Sequence, residues 1–139
     1  MEIKNLKINK INNLISLAIF GSYGTQYWRE GYSDIDVLVI MEKREDIMDE
    51  IELEEELIPI LREYFKYYNI HLTFINMKEF DSIFARQYLE CEDKLIVDEF
   101  KEIDFRLYVN KYLRNNKWLE NKIKKDNKML EDINGGSLL

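Results

Sequence analysis

Asp34 and Asp36, separated only by Ile35 and leading into the apolar run Val37 to Ile40, are the side chains of this sequence best placed to hold a divalent cation. In a β-strand alternate residues share a face, so the two carboxylates project the same way, about 7 Å apart at their bases. Upstream, Gly21-Ser22 closes a second apolar run, Ile15 to Phe20. A glycine lets a phosphate approach the backbone, and a serine hydroxyl beside free N–H groups binds its oxygens. Mg²⁺ takes an octahedron of oxygens and completes it with nucleotide phosphates and water. A phosphate-binding turn, a loop and a carboxylate pair, in that order, predict phosphoryl or nucleotidyl transfer, chemistry that rests on positioning and charge neutralisation. Each piece alone has an ordinary explanation, a surface turn or a solvated strand edge. Their order between two apolar strands carries the functional reading.

Two buried strands, at about 15–20 and 35–41, must position these groups. Ile3, Leu6 and Ile11 predict a first helix over 2–13. Ile47, Ile51, Leu57, Leu61 and Phe65 predict a helix over 44–67 that covers the sheet, kinked or divided at Pro59, which has no N–H. A strand containing His71 follows, then a helix from Lys78 to Glu90, a short strand from Lys94 to Val97, and a long charged helix over 101–132. Asn134-Gly135-Gly136-Ser137 should stop that helix and fray. The expected class is α/β, in its α+β form: a small mixed sheet with Asp34 and Asp36 on one face at its open edge and helices on the other. The last helix carries Leu107, Tyr108, Tyr112, Leu113, Trp118, Leu119, Ile123 and Leu130, more apolar surface than one packing stripe needs. It either folds back on the sheet or presents aromatics to a partner.

Composition narrows the partners. A chain of 139 residues, 46% hydrophobic, can bury the core of one domain. Its 20 basic and 27 acidic residues give a formal charge of -7, which argues against direct nucleic-acid binding through the general field and favours a nucleotide with Mg²⁺ or a basic protein. The acidic run Glu50 to Glu56 reads as a solvated helix face. Cys91 is the only cysteine, so no internal disulfide or thiolate metal cluster is expected, and it reads as a small buried hydrophobe. No signal peptide and no apolar run long enough for a bilayer is evident, and the expected location is the cytoplasm.

The string AIFGSYGTQYWREGYSDIDVLVI resembles the Gly-Ser, loop, Asp-x-Asp signature of the DNA polymerase beta-like nucleotidyltransferase superfamily, and in particular its minimal nucleotidyltransferase (MNT) branch, over about Ile15 to Glu99. The resemblance implies a nucleotidyltransferase fold and a two-metal reaction, with Gly21 and Ser22 on the triphosphate of ATP and Asp34 and Asp36 on Mg²⁺. It also implies a third carboxylate from a later strand. The matching stretch here is Asn69-Ile70-His71-Leu72-Thr73-Phe74-Ile75, with His71 where the acid would stand. A neutral imidazole can act as a base but is a poorer Mg²⁺ ligand, so catalytic and structural roles for His71 both stay open.

Ala85-Arg86-Gln87-Tyr88-Leu89, followed by Lys94-Leu95-Ile96-Val97 and a polar C-terminal helix, resembles the MNT antitoxins of HEPN/MNT toxin–antitoxin pairs. That likeness implies transfer of AMP from ATP to a tyrosine of a HEPN-family toxin, a ribonuclease, in a complex of the two proteins. It divides the chain into a minimal nucleotidyltransferase domain, 1–99, a C-terminal helix packed on the domain or a partner, 100–133, and a flexible tail, 134–139. Two alternatives stand beside it: an antitoxin with weakened catalysis that inhibits by contact alone, and a transferase acting on a small-molecule hydroxyl such as that of an aminoglycoside.

Overall fold

Strand β1 (Leu14–Phe20) pairs antiparallel with β2 (Ile35–Met41), and β2 pairs parallel with β3 (Ile70–Asn76). The short β4 (Lys94–Ile96) runs antiparallel along the free edge of β1, giving a four-stranded sheet in the order β3-β2-β1-β4. The structure, a computed structural model, describes residues 1–138, with the side chains of the last helix described through 117 and at 121, 124 and 125.

Both central strands are apolar almost throughout because both faces of the sheet are covered. Helix α1 (Ile47–Phe65) starts at Asp46, whose side chain accepts from the Met48 N–H, and ends at Lys66 in the left-handed region at φ 53°. It lays Leu53, Leu57, Leu61 and Phe65, spaced four apart, against Leu17, Ile35, Val37, Val39 and Met41. Helix α2 (Ile83–Glu90) and the first turns of α3 (Glu99–Leu138) cover the opposite face, where Ala85, Tyr88, Phe105 and Val109 meet Ile15, Ala18, Leu38 and Ile40. The mixed α/β architecture expected from the sequence is present, but helices flank both faces rather than one.

Several expected elements differ. Residues 2–13 form a single 3₁₀ turn, Ile3–Asn5, followed by irregular chain that turns at 12–13. The Asp93 carboxylate captures the N–H groups of Ile3 and Lys4 at 2.8 and 3.0 Å, while the Asn13 amide bridges the backbone of Lys43 at 2.8 Å. Such side-chain bonds compete with a helical ladder, and Ile3, Leu6 and Ile11 reach the core without one. Pro59 does not divide α1, because it lies on the exposed side where the carbonyl it leaves unpaired can be hydrated. The segment 77–82 is a 3₁₀ turn, Met77–Glu79, before α2 begins, closed by a reciprocal cap between Asn76 and Glu79.

Helix α3 runs past Asn134-Gly135-Gly136-Ser137, where a stop was expected. Helical glycine is penalised by about 1 kcal/mol relative to alanine, not forbidden. Its packing face is Phe105, Val109 and Leu113, with Tyr108 and Tyr112 against Phe80, whereas Leu107 faces solvent. Trp118, Leu119, Ile123 and Leu130 lie outside the described side chains. Among the described residues no helix is long and apolar enough to cross a membrane.

Candidate active site

The end of β1 and the start of β2 meet at the predicted phosphate turn. Phe20, the last residue of β1, lies opposite Asp36, and Gly21 then turns the chain at φ 74°. A Cβ on Gly21 would sit 2.5 Å from Oδ2 of Asp36 and 3.3 Å from its Cβ. Only glycine both adopts this φ without strain and leaves the carboxylate its place. The glycine and the aspartate are therefore one local structure, not two motifs that happen to be near in sequence.

The parallel register of β2 and β3 sets His71 directly beside Asp36. The imidazole Nδ1 lies 3.3 Å from Oδ1 of Asp36, and the two side chains are 61% and 29% exposed. Ile35 and Val37 are buried toward α1, so strand alternation turns Asp36 to the α2/α3 face. Asp34 stands one residue before β2 and is exposed, and its backbone carbonyl accepts from the Trp28 indole N–H at 3.0 Å. Gly21, Asp36 and His71 are thus brought together at one end of the sheet. Among the described residues, no three His, Cys, Asp or Glu side chains are gathered closely enough to hold a metal ion by themselves.

The loop between turn and carboxylates is fastened by aromatic residues. Tyr23 packs edge-on against Trp28 and Phe65, with centroids 5.1 and 5.5 Å away, and Trp28 packs on Tyr67 at 5.1 Å. The Tyr67 hydroxyl donates to the Ser33 carbonyl at 2.5 Å and accepts from the Gly31 N–H at 3.0 Å. The Ser22 carbonyl accepts from both the N–H and the hydroxyl of Thr25, at 3.0 and 2.6 Å, which closes the turn after Gly21. Trp28 and Tyr67 therefore fix the approach to Asp34 from the end of α1. Sequence reasoning missed both; an indole inside a glycine-punctuated loop was the available signal.

A second polar constellation lies on the same face, deep under the helices. The Ser16 hydroxyl is 2.8 Å from the Tyr88 hydroxyl, which donates to Oε1 of Glu102 at 2.9 Å, and Arg106 Nε reaches the same carboxylate at 2.7 Å. Burial pushes the Tyr88 phenol well above its ordinary value; the Ser16 bond opposes the shift and Glu102 adds to it. Lys94, its ammonium 4.5 Å from the centre of the Tyr88 ring, is held below its usual value chiefly by burial. Cys91 is half-buried and its thiol is pushed up, again mainly by burial, as fits an inert side chain.

The chain matches the nucleotidyltransferase domain family over residues 4–134, a span that takes in the site, all four strands and most of α3. No curated protein and no solved structure matches it.

Proposed function

The chain belongs to the nucleotidyltransferase domain family, and from that membership we propose that it transfers AMP from ATP to a tyrosine hydroxyl of a HEPN-family ribonuclease toxin, acting as that toxin's antitoxin. The observation that carries the reading is the register that puts His71 beside Asp36 at the Gly21 turn. It supports assigning His71 to the position of the family's third acid. Members of the family use a nucleoside triphosphate and a divalent metal ion.

Gly21 and Ser22 would receive the triphosphate, because the absent Cβ leaves the backbone approachable. Asp36 and Asp34 would face the cation only in part, since they and His71 are not gathered closely enough to hold it by themselves, and the nucleotide's phosphates and water would complete its shell. The acceptor oxygen attacks the α-phosphorus and forms a new P–O bond as the bond to the bridging oxygen breaks. Pyrophosphate departs, and the hydroxyl proton is lost to water at the open strand end. Trp28 and Tyr67 hold the Asp34 loop still during this exchange.

His71 also favours a second reading, a binding antitoxin whose chemistry is weakened. Mass spectrometry of a HEPN protein encoded by the adjoining gene and co-purified with this chain separates the two. AMP on a partner tyrosine, increased by His71→Asp in Mg²⁺, supports transfer with the imidazole in a lost ligand position. A decrease with a shifted pH profile makes His71 the base. No AMP with either residue, while the ribonuclease stays inhibited in a stoichiometric complex, leaves the binding antitoxin.

A further inference from the structure

We propose that this chain forms a two-fold dimer through the outer face of α3, with the helices of the two copies antiparallel and Leu107 at the axis. Phe105 and Val109 turn one side of α3 to the sheet and are 0% and 1% exposed, while Phe100, Ile103 and Leu107 on the other side are 84%, 44% and 59% exposed. These three fall at i, i+3 and i+7, so they form one stripe along the helix rather than scattered surface residues. Ile96 of β4 is exposed beside Phe100 and lengthens the patch. A contiguous apolar stripe of this kind marks a surface that a partner covers.

Charge names the partner. The first turns of α3 expose Glu99 and Asp104, whereas Lys111, Arg114 and Lys117 are exposed farther along, and no acid occurs from 105 to 117. Asp104, Lys111 and Arg114 have no ion-pair partner among the described residues. Acid, apolar stripe and base therefore follow one another along the helix, an order complementary to its own reverse. A two-fold axis at Leu107 brings Asp104 opposite Lys111 of the second copy and Glu99 opposite its Lys117, and lays its Arg114 over the Phe100 ring. Each contact then occurs twice, as a self-complementary interface requires. A parallel arrangement would instead face Asp104 with Asp104 and Lys111 with Lys111. On a chain of formal charge -7, whose copies repel in general, the basic turns of α3 are what allow the approach.

The test uses the full chain in light scattering and sedimentation over about a hundredfold range of protein concentration, since the dimer population follows protomer concentration. Wild type should pass from the mass of one chain to that of two. Glu99→Lys/Asp104→Lys and Lys111→Glu/Arg114→Glu should each dimerise about tenfold more weakly, because like charges then face one another. An equimolar mixture of the two should recover a one-to-one dimer, with every charge again opposite its complement. Leu107→Ser should weaken the dimer with no rescue by mixing. All of these positions are exposed, so the circular dichroism of each variant should match that of wild type. Wild type of single-chain mass throughout the range, a charge variant that dimerises as wild type does, or a mixture that stays monomeric overturns the proposal. So does a stripe that binds a different protein while the chain shows no self-association.

Discussion

Two polar constellations share one face of the sheet and are built on opposite terms. Ser16, Tyr88 and Glu102 lie under α2 and α3 with 0–1% of their surface exposed, and each polar atom is answered within the protein. Asp36 and His71 lie at the strand end, each the other's ion-pair partner among the described residues, with side chains 29% and 61% exposed. The buried set has its bonds completed by the fold, so it joins the sheet to the last helix. The open set keeps donor atoms for something else. Strong perturbation of titration follows the first, at Tyr88, and so picks out the buried network rather than the candidate site.

The largest expected effect breaks the open set without touching the buried one. Gly21→Ala places a Cβ 2.5 Å from Oδ2 of Asp36. The carboxylate must move, and a displacement of about 1 Å at a reacting centre costs on the order of 100-fold in transfer. Left-handed φ on a non-glycine residue should cost only roughly 1–2 kcal/mol of stability. Transfer assays beside urea unfolding would show this split. Comparable loss in Asp36 function and in fold would mean the turn is structural.

Arg106→Ala is the mirror experiment. It leaves the Glu102 carboxylate, 1% exposed, without its cation, and because Arg106 is itself 43% exposed the cost should be about 2 kcal/mol, below that of breaking a fully buried pair. Nucleotide binding should hold at temperatures where the protein stays folded. A variant as stable as wild type would show that the network is not a joint.

The smallest effect sharpens the same comparison through pH. Tyr88 is neutral in its buried place and its folded-state value is raised, so its contribution to stability is whole below about pH 10, the ordinary phenol value, and is lost as pH climbs beyond it. Lys94, held low, contributes with the opposite sign but is common to both proteins. Thermal unfolding between pH 8 and 11 should therefore fall more steeply for wild type than for Tyr88→Phe. Parallel curves would contradict the burial of the hydroxyl.

The placement of the candidate site's pieces in the fold was legible in sequence because it is local. Two near-continuous apolar runs announce buried strands, and the Gly-Ser and Asp-Ile-Asp pieces sit at their ends, although helices were expected on one face only. What was not legible is register and competition. The alignment of His71 with Asp36 depends on how β3 slides along β2, which no spacing encodes, although the family resemblance had set His71 where an acid of the site would stand. The first helix failed because Asp93, far along the chain, takes the N–H groups that a helix start would leave free. On α3 the residues singled out from the sequence omit Phe105 and Val109, which are buried, and include Leu107, which is 59% exposed, since an amphipathic pattern rich in aromatics offers more than one stripe. Glu102 read as one more surface charge, and only the meeting of β1, α2 and α3 shows why it is inside.

The central claim, that nucleotide and metal meet at the open strand end, is tested most directly by calorimetric titration of ATP with a divalent cation into wild type and the Asp34→Asn/Asp36→Asn double variant. Removing two carboxylates while keeping their size should lower metal-dependent ATP affinity by at least about tenfold. Thermal stability should hold or rise as repulsion between the two charges is relieved. Metal-dependent ATP binding of unchanged affinity in a folded double variant would contradict the account.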